Sequence, residues 1–214
     1  MKIGILGSGM VGQSLALGFE KHGYDVMVGS RTPEKLSKWK IESGFRGLLG
    51  IFSEVAAFAD ILVLAVKGSA AEEALRLSGK ENHLNKIVID TTNPIAEAPP
   101  VNGVIQFFTE QNSSLMEHLQ AAFPHLRLVK AFSCIGSAHM VNPSFGKEKP
   151  SMFICGNDEQ SKTEVKKILD QFGFITEDMG NVEAARAIEP LCILWCIPGF
   201  RSNQWSHAFK FLKK

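Results

Sequence analysis

The sequence has no surplus of either charge: 23 basic side chains stand against 22 acidic ones, a formal balance of +1. A chain without a global field holds neither nucleic acid nor an anionic membrane by electrostatics, so neither is an expected partner. It also lacks a long apolar run. The longest, residues 191–200, is about ten positions long and contains Pro198, whereas about twenty are needed to cross a bilayer. The N-terminus shows none of the segments of a secretory leader and opens on a strand-like run, so a cytoplasmic location is the expectation. No Cys-x-x-Cys pair occurs among Cys134, Cys155, Cys192 and Cys196. These read as reduced thiols in a chain large enough to need no disulfide. Cys192 and Cys196 stand four apart on an expected helix without a second ligand pair nearby, so they read as small core hydrophobes and no metal is expected. Repeats and low-complexity tracts are missing too, while 45% apolar content in 214 residues suffices for one sizeable core or two small ones.

What is present is alternation. Apolar runs of strand length recur at residues 3–6, 26–29, 61–66, 87–90, 126–131 and 151–155. Helical patterns lie between most of them, at 10–22, 33–43, 53–59, 70–77 and 113–123, and continue at 159–172 and 182–197. Near-continuous apolar strands such as ILVLAV imply burial on both faces, which a parallel sheet covered by helices on each side provides. The expected class is α/β, a Rossmann-type doubly wound, mostly parallel sheet with a small C-terminal α/β subdomain. Residues 142–150, NPSFGKEKP, concentrate Pro, Gly and charge, and suggest a dinucleotide-binding domain over 1–142 and a small subdomain over 143–214.

The most specific motif is Gly7, Gly9 and Gly12, a complete G-x-G-x-x-G directly after the first strand and at the start of the first helix. Gly7 suits a tight turn, Gly9 lets backbone approach a pyrophosphate, and Gly12 lets helix and sheet pack closely. Ser8, Met10 and Val11 then supply backbone amides at a positive helix end. After the second strand, VMVGSRTPEK has no acid where a dinucleotide fold reading NAD places one against the ribose hydroxyl. Ser30, Arg31 and Thr32 stand there instead, a guanidinium between two hydroxyls, with Lys35 close behind. That set suits a 2′-phosphate, so NADP(H) is the expected cofactor. The carboxyl ends of the next two strands face the same crevice in such sheets: Val66 and Lys67 are placed beside the cofactor ribose, and Thr92, Asn93 and Pro94 at the nicotinamide end. No clear catalytic triad or metal motif accompanies them.

The segments GSGMVGQSLA, VGSRTPEK, LVKAFSCIGS, MFICGNDEQSK and EAARAIEPL resemble the NADPH-dependent reductases typified by coenzyme F420:NADP oxidoreductase, a family related to the STEAP reductase domain. The resemblance covers most of the chain. It implies that Ala131 and Phe132 border the nicotinamide, and that Ser133, Cys134 and Ile135 line the place where a second flat ring arrives, with Lys130 at the head of that segment. Hydride then passes directly between two stacked rings, so the protein's task is to hold them about 3–3.5 Å apart without an obligatory acid, base or metal. Ser133 and Gly136 stand where the archaeal enzymes carry His and Pro, so the implied acceptor is either a deazaflavin of the F420 kind or an ordinary flavin, FMN or FAD.

Two other functions share this N-terminal pattern. One is a dehydrogenase of hydroxy acids or imines, which usually adds a helical domain of roughly a hundred residues, whereas about seventy follow Asn142 here. The other is a non-enzymatic sensor that binds NADP(H) and acts on a partner. Trp195, Trp205 and His139 read as packing residues before acceptor ligands. The apolar segment 182–214 is expected to pack on a twin subunit, making a homodimer.

Overall fold

The computed structural model describes residues 1–214. The chain begins with β1 (Lys2–Leu6), α1 (Met10–Lys21), β2 (Asp25–Gly29), a 3-10 turn at Pro33–Leu36, α2 (Ser37–Ser43) and β3 (Leu48–Gly50). It continues through α3 (Phe52–Phe58), β4 (Ile61–Leu64), α4 (Ala71–Leu77), α5 (Lys80–His83), β5 (Ile87–Asp90), α6 (Leu115–Ala122) and β6 (Arg127–Lys130). These six strands form one parallel sheet in the order β3-β2-β1-β4-β5-β6. The order reverses between β1 and β4, where a crevice opens beyond the strand ends.

Side-chain alternation along each strand builds the two layers. Ile3, Ile5, Val28, Val63, Ile89 and Val129 point to a core of 26 residues completed by α1 and by α7 (Glu159–Phe172). Leu6, Met27, Leu62, Leu64, Val88 and Leu128 point to the opposite core of 22 residues, completed by α3, α4 and α6. Both faces of β1, β4 and β5 are thereby covered, which is why residues 3–6, 61–64 and 87–89 run without a polar alternate. Gly4 is the exception that fits, since a Cβ there would come within 2.7 Å of Ala59 and 2.8 Å of Val55.

The C-terminal part adds β7 (Ser151–Ile154) and β8 (Ile175–Asp178), a parallel pair crossed over by α7, followed by α8 (Ala185–Ile188) and α9 (Leu191–Ser202). An antiparallel bridge between Lys130 and Cys155 ties this pair to β6, and Met152, Val165, Leu169 and Phe172 join the same core as β1. The extended tail returns along β7, where Ser151 N–H donates to Phe209 O at 2.9 Å and Phe211 N–H to Ser151 Oγ at 3.0 Å.

Several elements depart from expectation. The single helix expected over 182–197 is instead a 3-10 turn at Val182–Ala184, then α8, then α9 after Pro190. α9 also runs straight through Pro198. A proline there forfeits one helical hydrogen bond. Trp205 folds back over Gly199, so closely that a Cβ would sit 2.2 Å from its ring, and braces the last turn. The fourth strand stops at Leu64, two residues earlier than expected, which releases Ala65 and Val66 into the crevice. No helix is long and apolar enough to cross a membrane.

Candidate dinucleotide site

The glycine turn adopts a backbone that other residues resist. Gly7 has φ +135°, and a Cβ on it would stand 2.2 Å from Ala65 O. A Cβ on Gly12 would stand 2.2 Å from Gly7 O, so both positions are closed to larger side chains. Gly9 is different: nothing lies within 4 Å of where its Cβ would be. It is the N-cap of α1, no side chain caps that helix, and Met10 beside it is 78% exposed. The first-turn amides of α1 therefore face an open cradle, the kind of helix start that binds anions. Gln13 donates through Nε2 to Ser8 O at 2.9 Å and fixes the turn.

Two joined clefts meet at this cradle and share Gly9, Ala65, Val66 and Lys67. The first, about 390 Å³, runs toward the end of β2 and is walled by Ser30, Arg31 and Thr32. Ser30 Oγ accepts from Thr32 N–H at 3.2 Å and lies 3.5 Å from Ser8 Oγ, so both hydroxyl positions are held by the turn itself. Arg31 is exposed and makes no ion pair, so its guanidinium stands free at the end of this cleft. Lys35 is exposed and lies outside the wall of this cleft. Phe52, Ala70, Glu73, Ala74 and Leu77 complete the wall opposite. Their α3 and α4 patterns read only as packing helices, which is why the sequence did not single them out.

The second cleft, about 770 Å³, runs from Met10 and Val11 past the loops after β4 and β5. Thr92 and Asn93 line it as expected, and Ile95, Ala96, Glu97, Ala98 and Pro99 extend the wall, a stretch not anticipated beyond Pro94. Pro94 itself is buried behind that wall. The two loops touch: a Cβ on Gly68 would stand 2.1 Å from Asn93 O. Lys67 Nζ and Glu97 Oε1 come within 3.8 Å across the mouth as an exposed ion pair.

The segment after β6 stands behind this cleft instead of in it. Ala131, Phe132, Ser133, Cys134 and Ile135 are all buried, and none of them lines either cleft. Phe132 has φ +62°, an uncommon conformation for a bulky residue, and its ring packs against Phe172 and Phe174. Asn93 connects the segment to the cleft by donating through Nδ2 to Ser133 O at 2.7 Å. Burial pushes the Cys134 thiol up to about 12, so it stays protonated and unreactive. His139 lies tilted against Phe145 with ring centroids 5.0 Å apart, and Trp195 stacks on His207 at 4.9 Å, both as packing residues.

Lys130 is not a cleft residue at all. It is fully buried, with its ammonium 2.7 Å from Asp90 Oδ2, 2.8 Å from Glu189 Oε1 and 2.8 Å from Thr92 O. Burial alone would lower its pKa, but the two carboxylates outweigh that and hold it above the ordinary lysine value. Glu189 in turn accepts from Leu115 N–H at 2.9 Å and Met116 N–H at 3.0 Å, the first amides of α6. A lone lysine and two distant acids gave no sequence signal for this cluster.

Sheet order, glycine turn and the free cation after β2 define a dinucleotide-binding α/β protein of the NADP type. Comparison with known proteins makes the class specific. Residues 2–94 match the family model described as NADP oxidoreductase, coenzyme F420-dependent. A solved chain from Arthrobacter sp. FB24, assigned as an F420-dependent NADP reductase, is 30% identical, with 100% of each chain covered and a TM-score of 0.91. The metalloreductase STEAP3 of Rattus norvegicus is 29% identical over 92% of this chain and 38% of its own length, and human STEAP2 is 26% identical over 88% and 35%. The chain thus spans well under half of these curated relatives. A reductive aminase from Aspergillus terreus, solved with NADPH and ethyl levulinate, shares the fold at 17% identity and a TM-score of 0.67, with 94% of this chain and 62% of that chain covered. The chain belongs to the coenzyme F420-dependent NADP oxidoreductase family.

Proposed function

We propose that the protein transfers hydride between NADP(H) and a flat ring acceptor of the deazaflavin or flavin type. One observation carries this reading. The open cradle at Gly9 joins a cleft ending at the unpaired Arg31 to a larger cleft walled by Met10, Val66, Ile95 and Pro99. The first holds the adenosine phosphate and the second has room beside a nicotinamide for a second ring. A bound nicotinamide supplies the hydride; the chain's residues bind, orient and exclude water. Arg31, Ser30 and Thr32 grip the 2′-phosphate, the α1 amides take the pyrophosphate, and Val66 and Lys67 border the ribose. Thr92 and Asn93 form the floor at the nicotinamide end, and residues 131–135 support that floor from behind through the Asn93 bond to Ser133.

Residues 1–142 hold the cofactor in this reading, and residues 143–214 close the acceptor side and supply the contact of a homodimer. Anaerobic mixing of the protein and NADPH with F420, FMN or FAD in turn tests the assignment. Loss of the acceptor's ring absorbance with one of them is the expected result, and no turnover with any of the three would refute it.

A further inference from the structure

We propose that Lys130, Asp90 and Glu189 are positioning residues that set the floor of the nicotinamide end of the cleft. The inference rests on the cofactor placement given under Proposed function. Its ground is the convergence of the buried charges on one cleft residue. Thr92 lines the cleft, and each of its polar groups is engaged. Its carbonyl accepts from Lys130 Nζ at 2.8 Å, its N–H donates to Asp90 Oδ1 at 2.9 Å, and its hydroxyl donates to the same oxygen at 2.7 Å. The next residue, Asn93, is held on its other side by Ser133 O and by the close approach of Gly68. The floor therefore has one geometry, and the buried charges set it.

A purely structural role accounts poorly for this arrangement. An ammonium and two carboxylates shut away from water are usually no more stable than apolar side chains of the same volume. Here they do what apolar side chains cannot: they fix the direction of a backbone carbonyl and amide at the wall of the cleft. Glu189 also reaches the first turn of α6, so the same cluster locks the loop after β5 to the C-terminal segment. Hydride transfer between stacked rings is sensitive to such placement, with an error of about 1 Å costing about a hundredfold in rate.

The test uses the full chain carrying D90N, K130M and E189Q together. This combination leaves no unpaired charge in the interior, while Thr92 O loses its donor. Val165→Ala, a core change on α7 away from the cleft, serves as a comparator of reduced stability. Two probes are titrated, NADPH and 2′-phospho-ADP-ribose, the second lacking nicotinamide. The expected result is that the triple variant binds the fragment within about twofold of the wild type, because the adenosine half is untouched. The nicotinamide of its bound NADPH shows lower fluorescence anisotropy, and single-turnover hydride transfer slows about a hundredfold. Val165→Ala retains the wild-type anisotropy. Wild-type anisotropy in the triple variant overturns the positioning role and leaves the cofactor site standing, as does a triple variant that does not fold, which would make the cluster's role one of stability. Failure of the wild type to bind either probe removes the site and this proposal together.

Discussion

At Gly9 the space that a methyl group would fill is empty, whereas at Gly7 it is occupied by the Ala65 carbonyl. The two glycines of one turn should therefore fail in different ways. Gly9→Ala loses about 1 kcal/mol at most as a poorer N-cap yet obstructs the cradle, so the melting temperature changes little while NADPH binding weakens. Gly7→Ala meets backbone strain of about 1–3 kcal/mol before the clash is counted, and lowers the melting temperature as well. Thermal melts with parallel cofactor titrations separate the two, and equal stability of both variants would refute the distinction. Arg31 makes the second residue-level prediction. Removing a charge-assisted contact of about 1.5–3 kcal/mol should raise the Kd for NADPH about 10–100-fold in Arg31→Ala and leave NADH within about twofold. A wild type that binds both nucleotides equally would refute the role of Arg31. These residues were legible because their chemistry is local: a glycine spacing after a strand, and a missing acid after the next. Lys130, Asp90 and Glu189 were not, because residues 40 and 59 positions apart along the chain meet only through the sheet.

At the scale of single elements, α5 carries a buried imidazole. His83 is 1% exposed with its ring 5.2 Å from that of His125, and neither His83 Nδ1 nor His125 Nε2 has a partner. Burial depresses both pKa values, helped on His83 by His125 and on His125 by Lys80. A histidine whose folded-state pKa is depressed binds its proton more readily when unfolded. The contribution to stability is complete above about pH 6.5 and declines as the pH falls below that. The urea midpoint should drop between pH 7.5 and pH 5.5, and less so in His83→Phe; a midpoint that does not move would count against the pair. Strands β3 and β8 were invisible in the sequence for a physical reason. β3 is only three residues at the sheet edge with Gly50 alone buried, and β8 has two exposed residues and only one buried, Glu177, so neither carries the buried apolar run that marked the central strands. The helix ending at Ser202 was misread at Pro198, since the stacking of Trp205 on Gly199 that steadies it comes from a residue beyond the helix.

For the whole molecule, the parallel order and the two-layered core followed from alternation and burial, which repeat along the chain and are robust to local errors. The union of β7, β8 and α7 with the main core was less legible, because the loop 142–150 suggested separation while the apolar face of α7 packs beside α1. The outer side of α9 and the tail remain apolar: Leu194, Phe200, Phe211 and Leu212 are exposed by 55%, 48%, 46% and 82%. A second copy is the proposed cover, so light scattering at micromolar concentration should report a dimer and Leu194→Glu a monomer. A monomeric wild type would reject it.

The cluster around Lys130 also makes the start of α6 depend on the far end of the chain. Asp90 and Lys130 both precede α9, whereas the acceptor for the amides of Leu115 and Met116 is Glu189, just ahead of that last helix. A polypeptide truncated before position 189 would carry an unsealed helix start and a loosely held crevice floor.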